Sequence, residues 1–321
     1  MKNFLLRQWF LIGLAAVLLV GFSANGTLGR FAENFPVKLQ VAVVLFLMSW
    51  TLNASAIWRA VRYPGAAILG IAINFLILPL FAWAVKHALV PPLDDGLVLA
   101  AAVPCTMASA AVWTRRAGGN DAVALVVTMV TNISCFLVTP TLLWLLTTRG
   151  MSGEFDLTKR IVELFIVCVL PMIAGQAVRL FEPLGRWATD QKIVLSTIAQ
   201  CGILAMVLVA SVKSSMSIGD STAGTAPVPQ QWMMMLAVVA VLHLATLFAG
   251  FGLGRLFGLA RENWIAVGIA GSQKTLMIGI QIAIAEQWGI GLLPMVAYHA
   301  TQLLIDTIVA DRLSRGQTKI T

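Results

Sequence analysis

Charge is scarce in this sequence. Of 321 residues only 11% are charged, whereas 59% are hydrophobic, and the mean hydropathy is +0.88. A soluble globular chain carries roughly 25% charged residues. So few charges could not cover a water-soluble body of this size, and lipid is the expected solvent for most of the surface. A soluble enzyme is excluded on that ground. The net charge of +8 contains no run of five or more basic residues. Basic residues of a membrane protein gather in cytoplasmic loops, so no nucleic-acid partner is expected. Cysteine is sparse too: Cys105, Cys135, Cys168 and Cys201 each stand alone in an apolar stretch. Without a CxxC pair, neither a disulfide framework nor a zinc site is indicated. HExxH, GxSxG and paired catalytic carboxylates are missing as well, which argues against an intramembrane enzyme.

What the sequence does contain is long apolar runs. A bilayer core needs about 20 apolar residues per helix. Ten runs qualify, near 8–25, 38–58, 65–90, 95–114, 121–147, 161–181, 192–212, 231–254, 263–285 and 290–310. The first resembles a signal peptide, with Lys2 and Arg7 ahead of an apolar stretch, but is read as a retained span. With the N-terminus inside, the inner connections hold fourteen Lys and Arg, among them Arg115, Arg116, Arg179, Arg186, Arg255, Arg261 and Arg312. The outer connections hold seven, including Lys38, Lys86, Arg149 and Arg160. That bias predicts both termini in the cytoplasm, in the inner membrane of a bacterium-like cell. The polar stretch 214–231 is expected to be an external loop.

The order of elements recurs about 170 residues along. An apolar span carrying Asn74 and Pro79 leads to a broken span around Pro104; a span carrying His243 leads to a broken span around Gly271. The expectation is an all-α integral membrane fold of ten transmembrane helices in two inverted five-helix repeats, about 8–147 and 161–314. Residues 1–321 would form one transporter unit, with broken helices four and nine crossing at mid-membrane. Paired breaks in matching positions point to a binding site.

The first break, Ala102-Val-Pro-Cys-Thr-Met-Ala-Ser109, puts a proline and two hydroxyls, Thr106 and Ser109, at bilayer depth. Proline removes a backbone hydrogen bond and disturbs the turn before it. The second, Gly271-Ser-Gln-Lys-Thr275, places Ser272, Gln273, Lys274 and Thr275 in a row. Such groups are tolerated in a bilayer only when buried in protein or facing water. Lys274 is the sharpest of them, because a lysine at a helix centre costs about 2.5–3.5 kcal/mol to insert. Its partners are to be sought among Asp306, His299, Glu163 and unwound carbonyls. It serves a structural salt bridge, the attraction of an anionic substrate, or proton coupling. Asn74, Thr128, Asn132 and Gln281 either line the site or bond between helices. His299, Gln302 and Asp306 share one face of the last span, which should turn inward. The run Met233 to Met235 reads as lipid-facing packing, and the sequons at Asn53 and Asn132 as chance.

At these residues the chain resembles the bile acid:sodium symporter family, in its divergent SBF-like branch. The resemblance covers nearly the whole chain. It is carried most specifically by the segment Pro104 to Asn120 (PCTMASAAVWTRRAGGN), by Ser272-Gln-Lys-Thr275 and by Tyr298-His-Ala-Thr-Gln302. It implies a panel domain and a core domain, alternating access, and organic anions such as sterol conjugates as cargo. It also implies two sodium ions as coupling ions. Asn74, Thr128 and Gln273 match positions near those ions, and Ser272 a position whose carbonyl is used. Two features depart from the pattern. No carboxylate stands near Ile269, where the family joins its two sodium sites, and Ala110 or Ala111 stands where it has an asparagine. Lys274 follows the matched glutamine instead, and a fixed ammonium would repel a nearby sodium ion strongly. The expected function is therefore secondary transport of a small organic anion, bile-acid-like or a carboxylate, by alternating access with altered sodium sites. Proton-coupled or uncoupled transport, and a non-transporting membrane regulator, are the alternatives.

Overall fold

A computed structural model describes residues 9–52, 64–107, 109–219 and 228–315. Lys2, Arg7, Arg59, Arg62, Lys319 and the sequon at Asn53 lie outside those residues. Every element in the described residues is helical. We number the helices α1 Trp9–Ser23, α2 Asn25–Asn34, α3 Val37–Thr51, α4 Pro64–Ala88, α5 Leu93–Ala102, α6 Ala110–Arg116 and α7 Asp121–Leu146. After a one-turn helix at Thr148–Met151 come α8 Leu157–Leu180, α9 Glu182–Asp190, α10 Lys192–Gly219, α11 Pro229–Leu256, α12 Arg261–Ser272, α13 Leu276–Ala285 and α14 Leu293–Arg315.

The span count corrects the expectation of ten. Seven helical runs in the described residues are long and apolar enough to cross a membrane, or eight if the bent pair α1–α2 is one span. The chain does not divide into two clear inverted five-helix repeats. Three of the ten expected runs fall short of a full span among the described residues. The first run is bent by 106° at Ala24, and α2 past the bend carries Arg30, Glu33 and Asn34. The second run, 38–58, is described only as far as Leu52, and α3 covers that part with 15 helical residues. The fourth is cut into α5 and α6, of 10 and 7 residues, by the break at Pro104. The expected loop 214–231 is also shorter at its start, because α10 runs on to Gly219. There the Ser214 hydroxyl donates to the Gly289 carbonyl at 3.1 Å and Ser215 to Phe22 at 3.1 Å.

Local chemistry fixes the helix ends that matter. Asn120 caps α7, its side chain accepting from the Ala122 N–H at 3.1 Å. Asp156 caps α8 through the Lys159 N–H at 2.9 Å. Such caps satisfy donors that a helix start leaves open. Two long spans contain a π turn, Ile73–Ile77 in α4 and Phe165–Val169 in α8, and each is followed by Leu-Pro. The proline cannot donate, and the wider turn accommodates the missing bond. Close approach is concentrated between α11 and α12, where a Cβ on Gly250 would come within 2.6 Å of the Gly268 Cα. From Asn263 on, α12 and the first residues of α13 are buried, unlike the lipid-facing spans.

Candidate functional site

The two breaks lie against each other. The Thr275 N–H donates to the Pro104 carbonyl at 2.9 Å, so the unwound backbone of one break satisfies the other. The remaining freed groups can be followed one at a time. The Ala102 carbonyl accepts from the Thr139 hydroxyl at 2.9 Å, and the Cys105 carbonyl from the Asn132 amide at 2.7 Å. The Cys105 N–H donates to Thr131 at 3.2 Å. In the second break the Ser272 carbonyl accepts from the Tyr298 hydroxyl at 2.7 Å, and the Gln273 carbonyl from the Asn74 amide at 3.0 Å. Gln302 holds Lys274 at both ends of its peptide, accepting from the N–H at 2.8 Å and donating to the carbonyl at 2.9 Å. Buried backbone groups are nearly always paired, and here side chains of α4, α7 and α14 do the pairing.

Lys274 is fully buried, and no carboxylate among the described residues pairs with it. Its ammonium donates to the Asn74 carbonyl at 2.6 Å, the Asn74 side-chain oxygen at 3.0 Å and the Val103 carbonyl at 2.8 Å. The sequence explains why the first acceptor is free. In the π turn the Leu78 N–H goes to Ile73, and residue 79 is proline, which has no N–H to give. Asn74 is thereby left without its intrahelical donor, and Lys274 supplies one. The Phe75 ring lies 5.6 Å from the same ammonium.

A second buried chain runs beside the first. Asp306 accepts from Gln273 at 2.6 Å and pairs with His243 Nε2 at 2.9 Å, while His243 Nδ1 faces the Tyr298 oxygen at 3.3 Å. Gln273 in turn accepts from the Ser109 hydroxyl at 2.9 Å. Asp306 thus serves His243 and Gln273 and makes no ion pair with Lys274. His243 was no more than a landmark in the sequence. A histidine in an otherwise apolar span was the signal that marked it.

All twelve sequence-derived candidates come to this junction. Asn74, Pro104, Thr128, Asn132, Ser272, Gln273, Lys274 and Gln302 are enclosed in its wall, whereas Thr106, Ser109, Thr275 and His299 line a cavity of about 370 Å³. Three candidates were singled out as sodium ligands, and their oxygens have other engagements. Asn74 faces the Lys274 ammonium, Gln273 accepts from Ser109, and the Thr128 hydroxyl contacts the Cys105 sulfur at 3.5 Å. The amide oxygen of Asn132 is buried without a partner. No cluster of three or more His, Cys, Asp or Glu that could hold a metal ion occurs among the described residues.

The cavity lies between two sets of helices. On one side are Trp9 and Phe10 of α1, Leu45 and Met48 of α3, and Gln200 and Ile203 of α10; on the other are the breaks, α6, α13 and α14. Phe10 stands edge-on to His299 with ring centroids 6.3 Å apart. At the α6 end of the lining, where Val112 and Arg116 are exposed and the cavity has its mouth, Arg116 stacks on Trp113 at 5.0 Å and makes a two-pronged pair with Asp311 at 2.7 and 2.8 Å. Among the described residues Arg116 is the one formally charged residue of the lining. Sequence reasoning missed Arg116, Trp113 and Trp9 because they fall at the ends of spans, where such residues are ordinary.

A model of the SBF-like CPA transporter family matches residues 8–315. The chain belongs to that family. Relatives agree along almost its whole length. An Arabidopsis thaliana chloroplast protein named a probable sodium/metabolite cotransporter, BASS4, is 29% identical over 93% of this chain and 71% of its own. The sodium/bile acid cotransporter 7-B of Xenopus laevis is 22% identical over 96% and 92%. An uncharacterised protein of Pseudomonas aeruginosa is 27% identical over 98% and 94%. The resemblance to bile acid:sodium symporters is borne out at the family level. This chain is a multi-pass, lipid-embedded secondary transporter of a small solute, not an enzyme.

Proposed function

We propose that the solute is a small organic anion, a carboxylate or sterol conjugate, bound in the cavity with its acidic group near the two breaks and its apolar body against α1, α3 and α10. The observation that carries this reading is the cavity's composition. Thr106, Ser109, Thr275 and His299 offer hydrogen bonds from the side of the breaks, Trp, Phe, Met and Leu side chains form most of the rest of the wall, and among the described residues the single charge is Arg116. A few convergent polar groups in an apolar pocket orient an amphipathic ligand. Residues 1–321 act as one transporting unit, in which the two helix sets rock about the cavity and expose it to one membrane face at a time. Its mouth opens to the cytoplasm of a bacterial cell, with both termini on that side. Arg115, Arg116, Arg255, Arg261, Arg312 and Arg315 support this placement, lying at the mouth end of their helices.

Lys274 takes the place of one coupling cation. Its ammonium sits among three oxygens, Asn74 O, Asn74 Oδ1 and Val103 O, as a bound cation would. A sodium ion on Asn74 would face that charge at a few ångströms, where repulsion is strong in a poorly screened interior. Asn74 therefore does not fit sodium while Lys274 is in place.

Two measurements test the reading. Purified protein is titrated with taurocholate and with short carboxylates while its unfolding midpoint is followed. A ligand that binds only the folded state must raise the midpoint. A saturable rise with at least one anion is expected, matched by saturable uptake in proteoliposomes. Neither a rise nor uptake with any anion sinks the substrate class. Repeating the unfolding in sodium and in choline at equal ionic strength tests the role of Lys274. No sodium-specific difference is expected, and a saturable rise in sodium alone would overturn it.

A further inference from the structure

Beyond the cavity, on the side away from its mouth, lies a group of charges that neither break uses. Arg160 and Glu163 stand in the first turns of α8, Lys38 in the first turn of α3, and Glu286 just past the end of α13. Arg160 is wedged between the two acids, one terminal nitrogen on Glu163 and the other on Glu286. Lys38 reaches Glu163 at 2.8 Å, Gln281 donates to Glu163 at 3.1 Å, and Arg149 donates to the Glu286 carbonyl at 2.9 Å. The side chains of Arg160, Glu163 and Glu286 are 5%, 10% and 15% exposed. The Arg116–Asp311 pair at the mouth is 37% and 41% exposed.

Two helices measure the cluster's distance from the cavity. Helix α3 carries Lys38 at its start and the cavity residues Leu45 and Met48 further on, about 10–15 Å away at 1.5 Å per residue. Helix α13 carries Met277 in the cavity wall and leads to Glu286 at its other end, about 14 Å away on the same rise. The cluster also joins the two sides of the cavity. Helix α8 is tied to α3, since the Ser49 hydroxyl donates to the Met172 carbonyl at 2.7 Å and Gln176 donates to the Ser49 carbonyl. Helix α13 belongs with the breaks on the opposite side. The pairs Arg160–Glu286 and Gln281–Glu163 are therefore stitches from one helix set to the other.

We propose that Arg160, Glu163 and Glu286 form an ionic gate that seals the cavity from the membrane face opposite its mouth, and that opening that face requires these stitches to part. Apolar packing would close the face at least as stably, because buried ion pairs repay their desolvation poorly. What ion pairs add is sensitivity to water. The attraction is strong while the site is dry and weakens several-fold once water raises the local dielectric, so the seal holds when shut and releases once wetted. Arg160 Nε, buried without an acceptor, leaves the closed network short of full satisfaction, which favours release.

The test needs no substrate, so its failure is distinguishable from failure of the anion reading. Ile203→Cys places a reporter on the cavity wall, in a Cys201→Ser background whose other cysteines are buried. The full chain is reconstituted in vesicles of known orientation. Labelling of residue 203 by a membrane-impermeant maleimide is read by mass spectrometry from each face. Labelling from the mouth face is expected to dominate. The net-neutral double change Arg160→Ala with Glu286→Ala should raise labelling from the opposite face at least about tenfold, as loss of a close charge pair implies. Unchanged labelling from that face, in a variant that keeps the parent's unfolding midpoint, overturns the proposal. If the double variant does not fold, Glu163→Cys with Gln281→Cys decides the matter. Cross-linking that pair should abolish labelling of residue 203 from the gate face, and a reductant should restore it. Labelling that persists through the cross-link overturns the gate.

Discussion

Replacing Lys274 by methionine keeps most of the apolar stem of the side chain and deletes its charge and its donors. Three acceptors would be orphaned: the Asn74 and Val103 carbonyls and the Asn74 side-chain oxygen. A buried acceptor without a partner costs about 1–3 kcal/mol, so the three together cost about 6 kcal/mol at mid-range. Against this, the variant is relieved of burying an ammonium, about 3 kcal/mol on insertion scales. The difference is a net loss of about 3 kcal/mol. The assay is thermal unfolding of the purified protein in detergent, with the wild type alongside. The vacated oxygens also make the best remaining cation site. Sodium at a hundred times its dissociation constant would return about 2.7 kcal/mol. The expected result is a clear fall in midpoint for Lys274→Met in choline, partly restored by sodium. A variant as stable as wild type in choline would refute the reasoning, for it would mean that the oxygens around Lys274 do not depend on its ammonium.

Further expectations follow from the same geometry. Asp306→Leu leaves two buried donors, His243 Nε2 and Gln273 Nε2, without an acceptor, and should cost about 2–5 kcal/mol; an unchanged midpoint would mean the pairing is not made. Gly250→Ala drives a methyl toward the Gly268 backbone and should destabilise by about 1–3 kcal/mol; full stability would show that α11 and α12 are not in close contact. Ser109→Cys should react with a polar thiol reagent many times faster than Thr128→Cys, because only the first lines the cavity. Equal rates would mean that the cavity ends short of the breaks.

The candidate site was more legible in the sequence than the span count was. Proline, lysine and amides at bilayer depth are costly, so each must be answered by another group, and the answers all lie at one junction. Hydropathy has no comparable grip on shape. A run such as 8–25 scores the same whether it stays straight or turns by 106° at Ala24. The 95–114 run hides a break that leaves neither piece able to span. Of the partners expected for Lys274, unwound carbonyls take its ammonium and Asp306 does not, for a related reason. Asp306 lies on the inward face of the last helix, as its spacing from His299 implied, but which inward neighbour it meets depends on the packing of α11. There His243 takes it. The walls contributed by α1, α3 and α10 left no trace either, since a residue facing an apolar cavity and one facing lipid are chosen for the same property.

The mutual satisfaction of the two breaks also bears on biogenesis. The Val103 and Pro104 carbonyls belong to the first third of the chain, but their donors, Lys274 and Thr275, are made about 170 residues later. Until that late segment enters the bilayer, the early break must be kept wet or shielded by another protein. A chain truncated before residue 272 would carry an open polar seam in hydrocarbon, a ready signal for membrane quality control.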